Sequence, residues 1–194
     1  MNHFTIRPTA AEYGTYYEGY IRQIPAGHDP RQQLRAQAAA LQATIAGLSN
    51  EQALFRYAPG KWSIKETLVH IIDTERVFAY RAFCIARGEV QPLPGFDQDQ
   101  FTAHSGADAR PLADILREYQ AVRAATLALL DSFGPEALAR QGTASGMPVS
   151  VRALSYMLSG HEAHHLQLWN ERCLPLLPGA QAQEPRVLQT ESPG

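Results

Sequence analysis

Apolar positions recur at alternating steps of three and four in four long stretches of the chain, and no stretch of comparable length alternates strictly as a half-buried strand does. The pattern predicts an all-α fold. The first helix is expected over about 30–49: Asp29 can cap it, Pro30 suits its first position, and Gln32 stands where a capping-box partner belongs. Its seam is Leu34, Ala38, Leu41, Ile45 and Leu48. The second is expected over 63–87, opened by the S-x-x-E box of Ser63 and Glu66 and stopped by Gly88. The third, over 111–133, aligns Leu112, Ile115, Tyr119, Val122, Thr126, Leu129 and Phe133. The fourth, over 150–173, follows Pro148 and ends before Pro175.

Helices of this length with one apolar stripe each close most simply as an antiparallel four-helix bundle. The connections 88–110 and 134–149 are Gly/Pro-rich and longer than an up-and-down bundle needs, which predicts covering loops or a crossover. The aromatic-rich segment from Tyr13 to Ile21 is expected to pack on the bundle. Residues 1–174 read as one domain, and 175–194, with four prolines, as a loosely ordered tail.

Lys plus Arg number 17 against 19 Asp plus Glu, a net charge of -2, which argues against nucleic-acid or anionic-membrane partners. The longest apolar run, Leu127 to Leu130, is far short of the ~18 residues of a membrane span. The first residues lack a basic stretch followed by an apolar one, and two cysteines form no disulfide framework, so a cytoplasmic protein is expected. Cys84 and Cys173 fall on helices and read as packing residues.

Of seven histidines, three lie between positions 161 and 165. On the fourth helix His161 and His165 share the apolar seam Leu154, Leu158, His161, His165, Leu168, Arg172, while His164 lies about 60° off it at 100° per residue. Two imidazoles one turn apart in a core seam must be satisfied by hydrogen bonds or by a metal ion. On the second helix a polar wedge contains Ser63, Glu66, Thr67, His70, Asp73, Thr74 and Arg81, either a solvated face or the lining of a cavity. If His70 faced His161 and His165, three neutral imidazoles would form a facial set with open positions, and Asp73 could orient one of the rings. His161-Glu162-x-x-His165 also matches H-E-x-x-H, in which the glutamate is general base for peptide hydrolysis. Against that, Leu168 and Glu171 stand where a metzincin has its glycine and third histidine, and Glu162 points about 100° from the seam. Glu171 and Glu184 are the available downstream carboxylates.

The run from Lys61 to Arg76, the run Ser159-Gly160-His161-Glu162-Ala163-His164-His165, the Tyr-rich start and Pro94-Gly95-Phe96-Asp97-Gln98-Asp99 together resemble the DinB-like (YfiT-type) superfamily of metalloenzymes, over residues 13 to 174. The resemblance implies a four-helix bundle with an atypical crossover and a metal held by His70, His161 and His165, His164 being a common neighbour that is not a ligand. It implies a divalent ion such as Zn, Ni or Fe, a small-molecule substrate and a low-molecular-weight thiol, since characterised relatives include thiol-dependent transferases and isomerases. A thiol-dependent S-transferase is expected ahead of a hydrolase, because a divalent ion can lower the pKa of a bound thiol or water. Asp73, His164 and Arg81 are pocket candidates, Arg76 and Arg81 could meet a substrate carboxylate, and Asp97 and Asp99 lie in a loop able to cover the site. A homodimer is the expected assembly. The competing class is a non-catalytic metal-binding or dimerising bundle, which predicts no cavity beside the histidines.

Overall fold

Local chemistry sets the helix starts. Asp29 accepts from the Arg31 amide at 2.9 Å with Pro30 in the first turn, and Ser150 Oγ accepts from the Ala153 amide at 2.9 Å. Ser63 Oγ accepts from the Glu66 amide at 3.0 Å while Glu66 Oε2 accepts from the Ser63 amide at 2.8 Å, closing the expected box. No box closes at Gln32; Asp29 is instead ion-paired with Arg31 at 2.7 Å.

The computed structural model describes residues 2–177. Its helices are α1 (Glu18–Arg22), α2 (Pro30–Ile45), α3 (Ile64–Ala86), α4 (Gln98–His104), α5 (Leu112–Asp131), α6 (Pro135–Ala139) and α7 (Val151–Leu168). The four long ones are those read from the sequence, with α2 ending earlier and α7 continuing through Cys173 as a widened π-helical turn. The expected tail lies, from residue 178 on, outside the described residues.

Two apolar clusters fill the bundle. One gathers Leu34 of α2, Phe78 to Ala86 of α3, Leu127 and Leu130 of α5, and Val151 to Leu158 of α7. The other gathers Leu41 and Ile45 of α2, Ile64 to Ile72 of α3, Leu112 to Tyr119 of α5, and Trp169 beyond α7. Followed from N- to C-terminus, α2 and α7 therefore run from the first cluster to the second, and α3 and α5 from the second to the first. Each of α3 and α2 packs on both α5 and α7. The sequence suggested antiparallel neighbours, yet α3 and α5 are parallel, so residues 87–111 must return along the length of the bundle. This crossover buries Leu93 in the first cluster and Ala107 in the second. It is fastened at its end by Ser63 Oγ donating to Asp108 at 2.6 Å and by Lys65 Nζ donating to the Arg110 carbonyl at 2.7 Å.

A small hairpin, β1 (Gln141–Ala144) and β2 (Met147–Ser150), was not expected, because four-residue strands are too short to show a period of two. Its turn is Ser145-Gly146 with φ of 52° and 73°, the positive pair that a two-residue hairpin turn of right-handed twist requires. The crossover leans on this hairpin: the Leu93 amide donates to the Thr143 carbonyl at 2.8 Å and the Ser145 amide to the Leu93 carbonyl at 3.1 Å.

The buried face of α5 also differs from its expected seam. Arg123, Leu127 and Leu130 point inward where Val122 and Leu129 were expected to. A charged residue can take an inward position when buried carboxylates receive it, and Arg123 has two.

On α7, Gly160 lets the backbone of α1 approach: a Cβ there would stand 2.0 Å from the Tyr20 carbonyl oxygen. Gly160→Ala is expected to destabilise the chain by about 1–3 kcal/mol, read as a lowered urea midpoint, because backbone rather than a movable side chain fills the space. Gly19→Ala, whose methyl would meet nothing within 4 Å, should leave the stability unchanged or raise it by up to about 1 kcal/mol, read as an unchanged or higher midpoint.

Candidate metal centre

Along α3 the positions Thr67, His70, Thr74, Phe78 and Arg81 follow one face at steps of three and four, and all are buried. The polar wedge is thus the lining of an interior and not a solvated face. Opposite it, α7 is buried on every side from Ala153 to Glu162 and presents His161 and His165 toward α3. The Nε2 atoms of His70 and His161 are 2.9 Å apart, those of His161 and His165 are 3.2 Å apart, and all three residues offer nitrogens within 4.8 Å of one another.

Hydrogen bonding alone suits this arrangement poorly. A neutral imidazole Nε2 either donates one hydrogen or accepts through one lone pair, so the central His161 cannot serve both neighbours well. A cation would accept all three lone pairs. Imidazole nitrogens 2.0–2.1 Å from a common ion stand about 2.8–3.4 Å apart as the angle between them goes from 90° to tetrahedral, a range that includes the 2.9 and 3.2 Å found here. Burial pushes the His70 imidazole down to about 4, and burial followed by the neighbouring imidazoles holds His161 and His165 well below the usual histidine range. All three rings are therefore neutral, as ligands must be.

Aromatic rings hold the set in place. Trp62 lies 4.7 Å from His70 between centroids, and Tyr20 stands edge-on to His161 at 5.3 Å. A cavity of about 210 Å³ touches His161 and is walled by Tyr16, Tyr17, Tyr20, Phe78 and Phe96, with Thr74, Gln98 and Ser145 as its polar groups. The Thr74 hydroxyl is buried there without a hydrogen-bond partner among the described residues. A second cavity, of about 250 Å³, touches His165 and is lined by Tyr57, Lys61, Trp62, Thr67 and Asp99.

The remaining sequence candidates are placed differently. Asp73 was expected to orient a ring; it is paired with Arg76 at 3.3 Å and makes no hydrogen bond to the three histidines, since its position lies about 60° off the His70 stripe. Arg76 is further taken by Glu118 at 2.7 Å. His164 is exposed, its ring 5.2 Å from that of His165. Asp97 caps α4 by accepting from the amides of Asp99 and Gln100, whereas Asp99 does reach the second cavity. Arg81 is buried under the crossover, away from the triad. Cys84 and Cys173 are packing residues, as expected.

Glu162 does not approach the triad. Its carboxylate accepts from Arg123 Nη2 at 2.5 Å and from the Tyr119 hydroxyl, on the face of α7 turned to α5. Arg123 also donates to Glu75 at 2.8 and 3.0 Å and to the Leu34 carbonyl at 2.7 Å. Burial raises the Glu162 carboxyl, with Arg123 opposing. A general base at this residue is excluded by position, which overturns the H-E-x-x-H peptidase alternative. The Glu75–Arg123–Glu162–Tyr119 network was missed in the sequence, where the spacing of Tyr119 and Arg123 by four was the available signal.

In the metal-free protein the unfolded chain takes up protons on its histidines near pH 6.5, while the folded chain takes them up only nearer 4 at His70. Between those values the unfolded state binds more protons, so stability is expected to fall as pH is lowered through this window. Urea midpoints of chelator-treated protein from pH 7 to 4.5 check this; a flat profile contradicts neutral buried rings. Arg123→Met should cost about 3–5 kcal/mol in the same assay by leaving two buried carboxylates uncompensated, with partial recovery on adding Glu162→Gln.

A family model of the DinB superfamily matches residues 33–168, a span that contains all three histidines. Among solved structures, YfiT from Bacillus subtilis, described as a probable metal-dependent hydrolase with an unusual four-helix bundle topology, superposes with a TM-score of 0.66 at 14% identity, covering 86% of this chain and 93% of its own. No curated protein sequence matches the chain. Three imidazoles converging from two helices of a crossover bundle, in a span matched by the family model, make the conclusion direct: the chain belongs to the DinB superfamily.

Proposed function

We propose that this protein is a divalent-metal-dependent enzyme in which His70, His161 and His165 hold the ion, and that it joins a low-molecular-weight thiol to a small electrophile. The observation that carries the proposal is the convergence of three neutral Nε2 donors between two cavities. When bound, a divalent ion supplies Lewis acidity that favours thiolate or hydroxide near neutral pH.

The residues around it divide the work. The cavity at His161 offers five aromatic walls and no carboxylate, suiting an uncharged electrophile, with the unpartnered Thr74 hydroxyl available to a polar atom of that molecule. The cavity at His165 offers the Lys61 ammonium and the Asp99 carboxylate, a pair that suits a thiol bearing its own charges. Two compartments meeting at one triad favour a two-substrate transfer over hydrolysis, which needs room for one substrate and water. Cavities beside the histidines also count against a closed, purely structural metal site. Hydrolysis remains the second reading, favoured by the description of YfiT. The reading includes a cytoplasmic setting, in which thiols stay reduced, and a homodimer; among the described residues no helix is long and apolar enough to cross a membrane.

Elemental analysis of purified protein should find about one divalent ion per chain, lost in His70→Ala, His161→Ala and His165→Ala and kept in His164→Ala and Glu162→Gln. Unchanged metal content in His70→Ala would sink the triad. Metal-dependent consumption of a small thiol in the presence of an alkylating electrophile separates transfer from hydrolysis; ester cleavage that is indifferent to thiol would support the second reading.

A further inference from the structure

Two arginines are buried among the described residues, and they are treated unlike each other. Arg123 lies between Glu75 and Glu162. Arg81, only 2% exposed, has no carboxylate partner among the described residues. Its hydrogen bonds both leave from Nη2, to the Pro94 carbonyl at 2.7 Å and to Ser145 Oγ at 2.8 Å, so both acceptors are neutral. A guanidinium carries five N–H donors, and those on Nε and Nη1 are not used by the described residues.

A buried charge without a counter-charge is costly unless something of opposite sign completes it. The space for that partner is beside it: Arg81 lines a cavity of about 310 Å³ whose other walls, Arg76 apart, are mostly apolar or aromatic, among them Val77, Tyr80, Leu93, Phe96 and Phe101. Arg76 also reaches this cavity, but its charge is met by Glu118 and Asp73. The Phe78 and Phe96 rings lie 5.9 Å from the Arg81 guanidinium carbon but carry no negative charge, so the cavity presents one positive charge that no carboxylate meets at a largely apolar surface.

We infer that Arg81 is the receptor for the carboxylate of a small amphipathic monocarboxylic acid, whose apolar body occupies the cavity under the crossover. One guanidinium matches one negative charge, and a dianion such as phosphate would bring a second charge and no apolar body to this wall. The site is distinct from the triad, although Phe96 lines both cavities and Ser145 stands between Arg81 and the triad's cavity. The inference does not depend on the reaction proposed above.

Calorimetric titration of the metal-stripped, full-length protein with benzoate, and with benzamide as its neutral analogue, tests it. Benzoate should bind at least about tenfold more tightly than benzamide, the charge contributing as charge-assisted hydrogen bonds do. Arg81→Gln should abolish that preference, Arg81→Lys should keep part of it, and inorganic phosphate should not compete. If Arg81→Gln fails to fold, Val77→Trp fills the cavity while leaving the guanidinium, and it should weaken benzoate by a similar factor. Equal binding of acid and amide, unchanged benzoate affinity in a folded Arg81→Gln or in Val77→Trp, or no benzoate binding at all would overturn the assignment. So would binding that appears only when metal is restored, since the carboxylate would then belong to the triad.

Discussion

Placing ionisable groups across the middle of a helical bundle is tolerated only when each meets a partner, and this constraint organises the molecule. Midway along each long helix the apolar seam gives way to polar residues: Gln37 on α2, His70, Thr74 and Glu75 on α3, Arg123 and Thr126 on α5, Ser159, His161 and Glu162 on α7. They form a layer between the two hydrocarbon clusters. Toward α2 and α5 the layer completes itself, with Arg123 between two carboxylates and Gln37 donating to the Ser159 carbonyl at 2.9 Å. Toward α1 and the crossover it gathers donors and, among the described residues, finds no cation or acid to match them. The closed half fixes the axial register of α3, α5 and α7, and that register brings His70 level with His161.

The crossover follows from the same arrangement. Because α3 and α5 run in parallel, the chain between them must travel the length of the bundle outside it, and that excursion supplies Phe96, Gln98 and Asp99 to the cavities beside the triad. An up-and-down connection of a few residues would have left the histidine face open to water. The docked N-terminal tyrosines close the other flank, drawn in by the contact of α1 with Gly160.

Much of this was legible in the sequence, for identifiable reasons. Long amphipathic helices with a proline or serine at their starts show their periods and caps plainly, so the four helices were read within a few residues, except for the end of α2. The pair His161 and His165 was legible because imidazoles interrupt an otherwise apolar seam. The partner ring at His70 came from resemblance and not from period, since its own helix face is mixed in polarity. Less legible were features that depend on pairing across helices. Arg123 reads as a surface residue until its carboxylates are known, and Asp73, one turn from His70, lies near that histidine in sequence but off its face. The hairpin was hidden by brevity, and the parallel run of α3 and α5 could not be read from seams, which carry no direction.

The sequence separation within the triad has a thermodynamic consequence. His161 and His165 are four residues apart on one helix and can approach each other in any state that keeps that helix, whereas His70 stands 91 positions away. Bringing it to them closes a long loop whose entropic cost, growing as about (3/2)RT ln n, is met by the packing of α3 on α7. The pair His161 and His165 is thus available locally in the unfolded chain, whereas the full triad exists only in the folded one, so a cation that uses all three imidazoles would favour the folded state. If these residues hold an ion, its concentration would then act as a control on the folding equilibrium, and the protein's persistence in a metal-poor medium would be coupled to its supply of that ion.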